Sequence, residues 1–369
     1  MPLPRIAFCS LLSRVLVPCL GATLFASVAT AARADAGVAY VSNQSGDVTV
    51  IDLATMAPTG TIGAGGKEPR GIGVTADGKL LVLANREGGA VAVIDRASGK
   101  LLRHVHIGEN PEFVRTRGHL AFVTYEPAST GGAPAAPGSG VASGPGKGDD
   151  DEVHTPAHVA IVDLDKGVVI RSIRGGLETE GVEFTPDGKD IVVANEADGT
   201  LTVHAIATGR LVKTVDLKPY GVRPRGIKLS PDGTSYVATL EFSNVFVVLD
   251  AGFKVVRTVA TAEAPYGLSF DRTGGRLFVA AARGKLLQVF DTGTWQSIKD
   301  VPIGTRCWHF TFTPDDKSIL LACGRSNEIV VVDTGTLDAV KRIPDAQLPW
   351  GIVTYPKSSG SLDQVESGR

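Results

Sequence analysis

The sequence predicts an all-β protein, a seven-bladed β-propeller of four-stranded antiparallel blades. Three observations carry this. Short runs of alternating apolar residues are divided by Gly- and Asp-rich turns, as in half-buried strands. Units of four such runs restart about every forty residues. The two ends of the chain hold complementary fractions of one unit. Glycine is abundant, aromatics are sparse and no long helical stripe runs through the repeats, as expected of short strands joined by tight turns.

The clearest unit runs from Pro69 to Gly108, with turns at Ala76-Asp77-Gly78, Glu87-Gly88-Gly89 and Ala97-Ser98-Gly99. Complete units start near Pro69, Pro111, Thr179, Pro224, Pro265 and Cys307. The segment Val38–Gly63 supplies only second, third and fourth strands, and Leu348–Tyr355 supplies only a first. Together they make the seventh blade, closed by pairing the C-terminal strand with the N-terminal strands. Such closure leaves only short, protected sheet edges. An open solenoid would need polar, atypical caps, and both ends here are ordinary apolar strands.

Thr185-Pro186-Asp187-Gly188, Ser230-Pro231-Asp232-Gly233 and Thr313-Pro314-Asp315-Asp316 recur between first and second strands. Pro presets φ, Asp closes its own turn and Gly takes positive φ, so these residues are assigned to structure. Pro127–Pro156 breaks the period with a Gly/Pro/Ala/Ser tract and the acidic run Asp149–Glu152. It reads as a disordered insertion between a second strand (Phe122–Tyr125) and a third (Val159–Val162). The polar tail 357–369 is expected to be flexible.

Residues 1–34 read as a secretory signal: basic at Arg5 and Arg14, apolar from Val15 to Ala29, with Ala32-Arg33-Ala34 before the expected cut. The remaining propeller, 38–356, is expected in the periplasm or outside the cell, as a monomer without a membrane span. Removing the leader leaves 34 basic against 39 acidic residues, a charge of about −5 that disfavours nucleic acid. Of the four cysteines, Cys307 and Cys323 remain, each eight residues from Asp315. A regular hairpin sets them opposite each other, at a spacing that admits a disulfide; two buried thiols are the alternative.

One position stands out for function. The residue after each loop proline, by alignment, is Arg70, Glu112, Glu180, Arg225, Tyr266, Trp308 and Trp350, and His309 replaces a repeat glycine. In propellers this position begins the innermost strand near the axis. Arg70, Glu180, Arg225, Tyr266, Trp308, His309 and Trp350 are the candidate ligand-binding residues. Alternatively, Arg and Glu simply pair and plug the channel mouth. A neighbouring ring, Gln44, Arg86, Glu126, Glu196, Glu241 and Arg283, follows the second strands, where Asn85 and Asn195 would close turns. His104 with His106, and His154 with His158, are weak metal pairs, and no zinc, EF-hand, P-loop or nucleophile-elbow motif is present, so neither metal nor covalent catalysis is assigned.

The strand endings Tyr40-Val41-Ser42-Asn43, Val82-Leu83-Ala84-Asn85 and Val192-Val193-Ala194-Asn195 resemble the YVTN-type β-propeller repeat. So do the Pro-x-Gly starts and Val-Ile-Asp third strands. The resemblance spans the mature chain. It implies kinship with the propeller that holds haem d1 in nitrite reductases. It also implies kinship with secreted propellers encoded beside PQQ-dependent alcohol oxidation, so haem d1 or a quinone is a cofactor by analogy only. The tryptophan docking motif of true PQQ dehydrogenases and the Trp-Asp pairs of WD40 repeats are missing. The leading expectation is a binding or accessory scaffold for a redox-related ligand or partner protein. Alternatives are a lactonase-like hydrolase, with Glu180, Arg225 or His309 in acid, base or electrophile roles, and a haem d1-handling protein with His309 facing the iron.

Overall fold

The computed structural model describes residues 36–126 and 155–364. The predicted leader, the 127–154 part of the insertion and residues 365–369 lie outside the described residues. The described chain forms 28 strands, β1 to β28, in seven four-stranded antiparallel sheets. Blade one has the strand order β28-β1-β2-β3; the other six are consecutive meanders. Closure pairs β1 (Val38–Asn43) with β28 (Pro349–Tyr355), Tyr40 opposite Val353 and Val41 opposite Ile352.

The innermost strands of blades two to seven are β4 (Lys67–Val74), β8 (Val114–Arg117), β12 (Thr179–Phe184), β16 (Pro224–Leu229), β20 (Pro265–Phe270) and β24 (Cys307–Phe312). β8 is shorter than expected, because Pro111-Glu112-Phe113 are not strand. Alternating strand faces bury apolar residues against both neighbouring blades, as Val82 and Leu83 show by falling in different clusters. The strand-one-to-two turns behave as structural punctuation: Asp77 accepts from the Thr75 hydroxyl at 2.8 Å and the Lys79 amide at 3.0 Å. Cys307 and Cys323 are register partners joined by a disulfide between β24 and β25 (Ser318–Cys323).

A repeated latch joins the blades at their outer strands. Six fourth strands carry a basic residue at one register position: Arg103, Arg171, Lys213, Arg257, Lys299 and Lys341. Arg103 donates to the Asp165 carbonyl of the next blade at 2.9 Å. Lys341 donates to Thr55 at 3.1 Å, bridging blade seven to blade one. The residue before each is an exposed aliphatic, such as Ile170, Val256 or Val340. A charge beside each exposed aliphatic discourages pairing of these open edges with other chains.

Residues 357–364, expected to be flexible, turn back into the axial channel. Phe312 N–H donates to Ser359 O at 2.9 Å, and Ser361 N–H to Phe310 O at 2.9 Å. Ser358, Leu362 and Asp363 are buried. A channel lined by unsatisfied inner-strand edges can order a polar segment that solvent could not.

Closure by buried strand β28 makes Val353→Asp a sharp test. An unpaired charge there should lower unfolding free energy by about 3 kcal/mol or more. Urea denaturation of both proteins measures it, and a loss under about 1 kcal/mol would contradict the role given to this strand.

Candidate functional site

The loops entering the innermost strands surround a cavity of about 390 Å³ at one end of the axis. Three tiers of side chains build it. The predicted tier places Arg70, Glu112, Arg225, Tyr266, Trp308 and Trp350 on its wall. A second tier, two residues earlier, escaped the sequence reading. Glu68, Asn110, Glu178, Arg223, Ala264, Arg306 and Leu348 all have positive φ, between 47° and 64°. A left-handed backbone costs about 1 kcal/mol or more for a non-glycine residue, and here it recurs in all seven blades. In five blades the carbonyl of this residue accepts an amide just past strand two, as Arg223 does from Glu241 at 2.9 Å and Arg306 from Gly324 at 3.0 Å. The bend turns Asn110, Glu178, Arg223 and Arg306 into the mouth.

The third tier follows the second strands. Gln44, Arg86, Glu126 and Glu196 line the cavity. In blade six the register gives this place to Ala282 rather than Arg283. Asn85 and Asn195 do close turns: Asn85 Nδ2 donates to Ala64 O at 3.1 Å, and Asn195 Oδ1 accepts from Gly176 N–H at 2.9 Å.

Arg225 is the centre of the charge network. It pairs with Glu180, with Glu196, and with Glu241 at 2.7 Å. Arg223 reaches Glu178 at 3.2 Å, Glu196 at 2.8 Å and Glu241 at 3.3 Å. The Tyr266 phenol donates to Glu180, and Arg225 lies over the Tyr266 ring, 4.8 Å from its centroid. Burial opposes the charge of Arg225, yet Glu180 and the surrounding acidic groups outweigh it and hold the guanidinium well above its usual range. On the opposite wall Arg70 pairs with Glu112 and donates to Gln44 Oε1 at 3.2 Å. Burial raises the Glu112 carboxyl despite the attraction of Arg70. This part of the mouth pairs Arg with Glu.

Blades six and seven differ. Among the described residues the Arg306 guanidinium meets one carboxylate, Glu241, at 3.5 Å, and Glu241 already serves Arg225 and Arg223. Burial and then repulsion from Arg283 hold the Arg306 guanidinium below its ordinary value. Exposed Arg325, from the 3-10 turn Gly324–Ser326, has no carboxylate within ion-pair reach among the described residues. Trp308 lines the same cavity, and its indole packs so close to Gly324 that a Cβ there would lie 2.0 Å from Cζ3. The Cys307–Cys323 disulfide ties the strand that carries Trp308 to the end of β25, just before Arg325.

His309 and Glu180 do not border the cavity; both are buried beneath it. The His309 ring lies 4.3 Å from Trp350, 5.5 Å from Tyr266 and 6.2 Å from Phe113, centroid to centroid. Its Nδ1 is 3.0 Å from Ser361 Oγ, and its Nε2 has no hydrogen-bond partner among the described residues. Burial holds the imidazole down to about 3. His309 therefore belongs to the floor, closed below by the tail. His104 and His106 are exposed on an outer strand, His158 bonds Ser172 at 2.7 Å, and His154 lies outside the described residues. No group of three metal-ligating side chains occurs among the described residues.

Two consequences are measurable. Arg225→Met leaves buried Glu180 without a cation and takes one of the cations from Glu196 and Glu241, and should cost about 3–5 kcal/mol at pH 7. The deficit should shrink as pH falls and the carboxyls protonate; a deficit independent of pH would exclude this network. For His309, the unfolded chain takes up a proton near pH 6.5 that the folded protein refuses until about 3. Stability is thus lost as pH falls through that window, by about 2–3 kcal/mol between pH 7 and 4.5. His309→Asn should lack that component, so unfolding curves of the two proteins that shift in parallel with pH would refute it.

No protein-family model and no curated protein matches this sequence. Solved structures do resemble it. Hydrazine synthase of Kuenenia stuttgartiensis superposes with a TM-score of 0.66 at 20% identity, over 81% of this chain and 93% of that one. The periplasmic gluconolactonase PpgL of Pseudomonas aeruginosa gives 0.67 at 17%, over 86% and 98%. The dihydro-heme d1 dehydrogenase NirN, in complex with DHE, gives 0.61 at 19%, over 86% and 75%. At these identities the likeness establishes the propeller fold that the chain shares with them.

Proposed function

We propose that the protein is a secreted binding propeller whose mouth cavity holds a small organic anion with a planar or ring-shaped body, in the service of a redox-related partner system. One observation carries the reading: Arg306 and Arg325 line the cavity with Trp308 and have less negative charge beside them than they can bind. A carboxylate or phosphate would satisfy both guanidinium groups, while the Trp308 face covers the ligand's ring. The volume suits a compact metabolite. The leader-like residues 1–34 support an extracytoplasmic site of action.

A tetrapyrrole fits these residues poorly. The imidazole expected to meet its iron lies under Trp350 and Tyr266, outside the cavity, with Nδ1 engaged by Ser361. Hydrolysis of a lactone is the second reading, favoured by Glu112, a wall carboxyl whose proton affinity is raised by burial beside Arg70. The gluconolactonases among the similar folds add an analogy only.

A panel of aldonates, sugar phosphates and aromatic carboxylates, screened by thermal shift and calorimetry, tests the proposal. Arg306→Ala with Arg325→Ala should weaken the best ligand about tenfold or more while leaving the melting temperature of the free protein within a few degrees. Binding unchanged in the double variant would reject the site. Turnover of a lactone, abolished by Glu112→Gln, would replace the binding reading with the hydrolytic one.

A further inference from the structure

Below the mouth the axis holds a second set of inner-strand side chains, three residues past the first: Arg115, Glu183, Lys228, Ser269 and Thr311 among them. Arg115 Nη2 donates to both carboxylate oxygens of Glu183, at 2.7 and 2.9 Å, and both side chains are buried. The body thus presents two basic side chains here, Arg115 and Lys228, for one carboxylate, and burial beside Arg115 holds the Lys228 amine well below its ordinary value. The remaining demand is met by residues 357–364, and backbone groups supply most of the contacts. The Leu362 carbonyl accepts from Arg115 at 3.3 Å, and the Asp363 carbonyl accepts from Lys228 at 3.0 Å. The Asp363 carboxylate pairs with Lys357 at 3.0 Å.

Three further features show a receptor for this segment. Ser359, Gly360 and Ser361 meet the free inner edge of β24 through one antiparallel bridge, Gly360 opposite Thr311, flanked by two main-chain hydrogen bonds. Leu362 is 1% exposed and sits against Gly351, where a Cβ would lie 2.9 Å from its Cδ1. Ser361 lies over Gly267, where a Cβ would come within 3.0 Å. Both are repeat glycines whose nearest neighbours are carbonyls of the next blade, Trp308 O for Gly267 and Arg70 O for Gly351, so blade packing requires them and the segment uses the room they leave. Yet the ring is complete without it: all four strands of blade one end by Tyr355.

We propose that the lower half of the channel is a peptide-binding site, separate from the mouth cavity, which recognises an extended segment bearing a leucine and which the chain fills with its own residues 357–364. Recognition combines main-chain bridging to the edge of β24, an aliphatic socket and hydrogen bonds from Arg115 and Lys228 to main-chain carbonyls. The tethered segment acts at an effective concentration of order millimolar, so it excludes weaker peptides from solution while remaining exchangeable.

Full-length Gly360→Val tests this, because a side chain at 360 would meet Phe310 O at 2.8 Å and the Thr311 Cα at 2.9 Å and so cannot be seated. In that variant the amides of 358–364 should lose hydrogen-exchange protection. The variant should bind a synthetic peptide of residues 357–364 with one-to-one stoichiometry, and the same peptide carrying Leu362→Asp more than about tenfold weaker. The wild-type protein should not bind it at micromolar concentration. A folded variant that ignores the peptide overturns the proposal. If Gly360→Val does not fold, exchange on the wild-type protein decides. Tail amides should open faster than those of β24 and β28, and millimolar peptide should accelerate them. Exchange only through global unfolding, indifferent to peptide, overturns it.

Discussion

The pairing of β28 with β1 is the constraint on which the rest of the molecule depends. It turns a row of meanders, each buried only where it meets a neighbour, into a ring in which every blade has two. The hydrogen bonds are local, but their effect is not: they fix the radius of the channel, and the radius fixes which side chains meet across it. The outer latches act in the same direction from the rim, where the basic residue of one blade finishes the turn of the next, ending with Lys341 on Thr55 across the closure.

A closed ring with a narrow axis makes a demanding electrostatic environment. Inner-strand side chains from different blades are forced together in a region with little water, where an unpaired charge is costly and a pair must be well made. The mouth solves this on one side by surrounding Arg225 and Arg223 with carboxylates and on another by coupling Arg70 to Glu112. The wall of Arg306 and Arg325 is left short of negative charge, and that imbalance is the basis for assigning a ligand there. Lower down, the same problem is solved with main chain, since the tail brings carbonyl groups to Arg115 and Lys228. The left-handed residue before each innermost strand fits this view. A strained conformation repeated in seven blades persists because the ring over-determines it, and it aims an extra tier of side chains at the axis.

The two ends of the channel are connected through one floor. Ser361 touches His309, and His309 packs on Trp350 and Tyr266, which line the mouth. The floor of the upper cavity is therefore partly made by the segment that occupies the lower site. An imidazole kept neutral by burial suits this place, because it packs like an aromatic ring and places no charge under the arginines.

Much of this was legible in the chain itself. Period, alternation and turn residues specify seven blades and the split closure, because they express local geometry repeated many times. Aligning the copies was enough to find the tier containing Arg70, Arg225, Tyr266, Trp308 and Trp350, since a repeat converts sequence position into height along the axis. The sequence also set Cys307 opposite Cys323 by counting to the turn. What it could not supply was anything that depends on which blades face each other across the axis. That Arg225 gathers Glu180, Glu196 and Glu241, that Arg306 is left with a shared partner, and that His309 sinks beneath the cavity are consequences of the ring's radius. The tail shows the limit most plainly. Lys357–Gln364 is polar and rich in small residues, and by composition it belongs in water; only a finished channel, with an open strand edge and basic side chains that can still donate, gives that segment somewhere to fold.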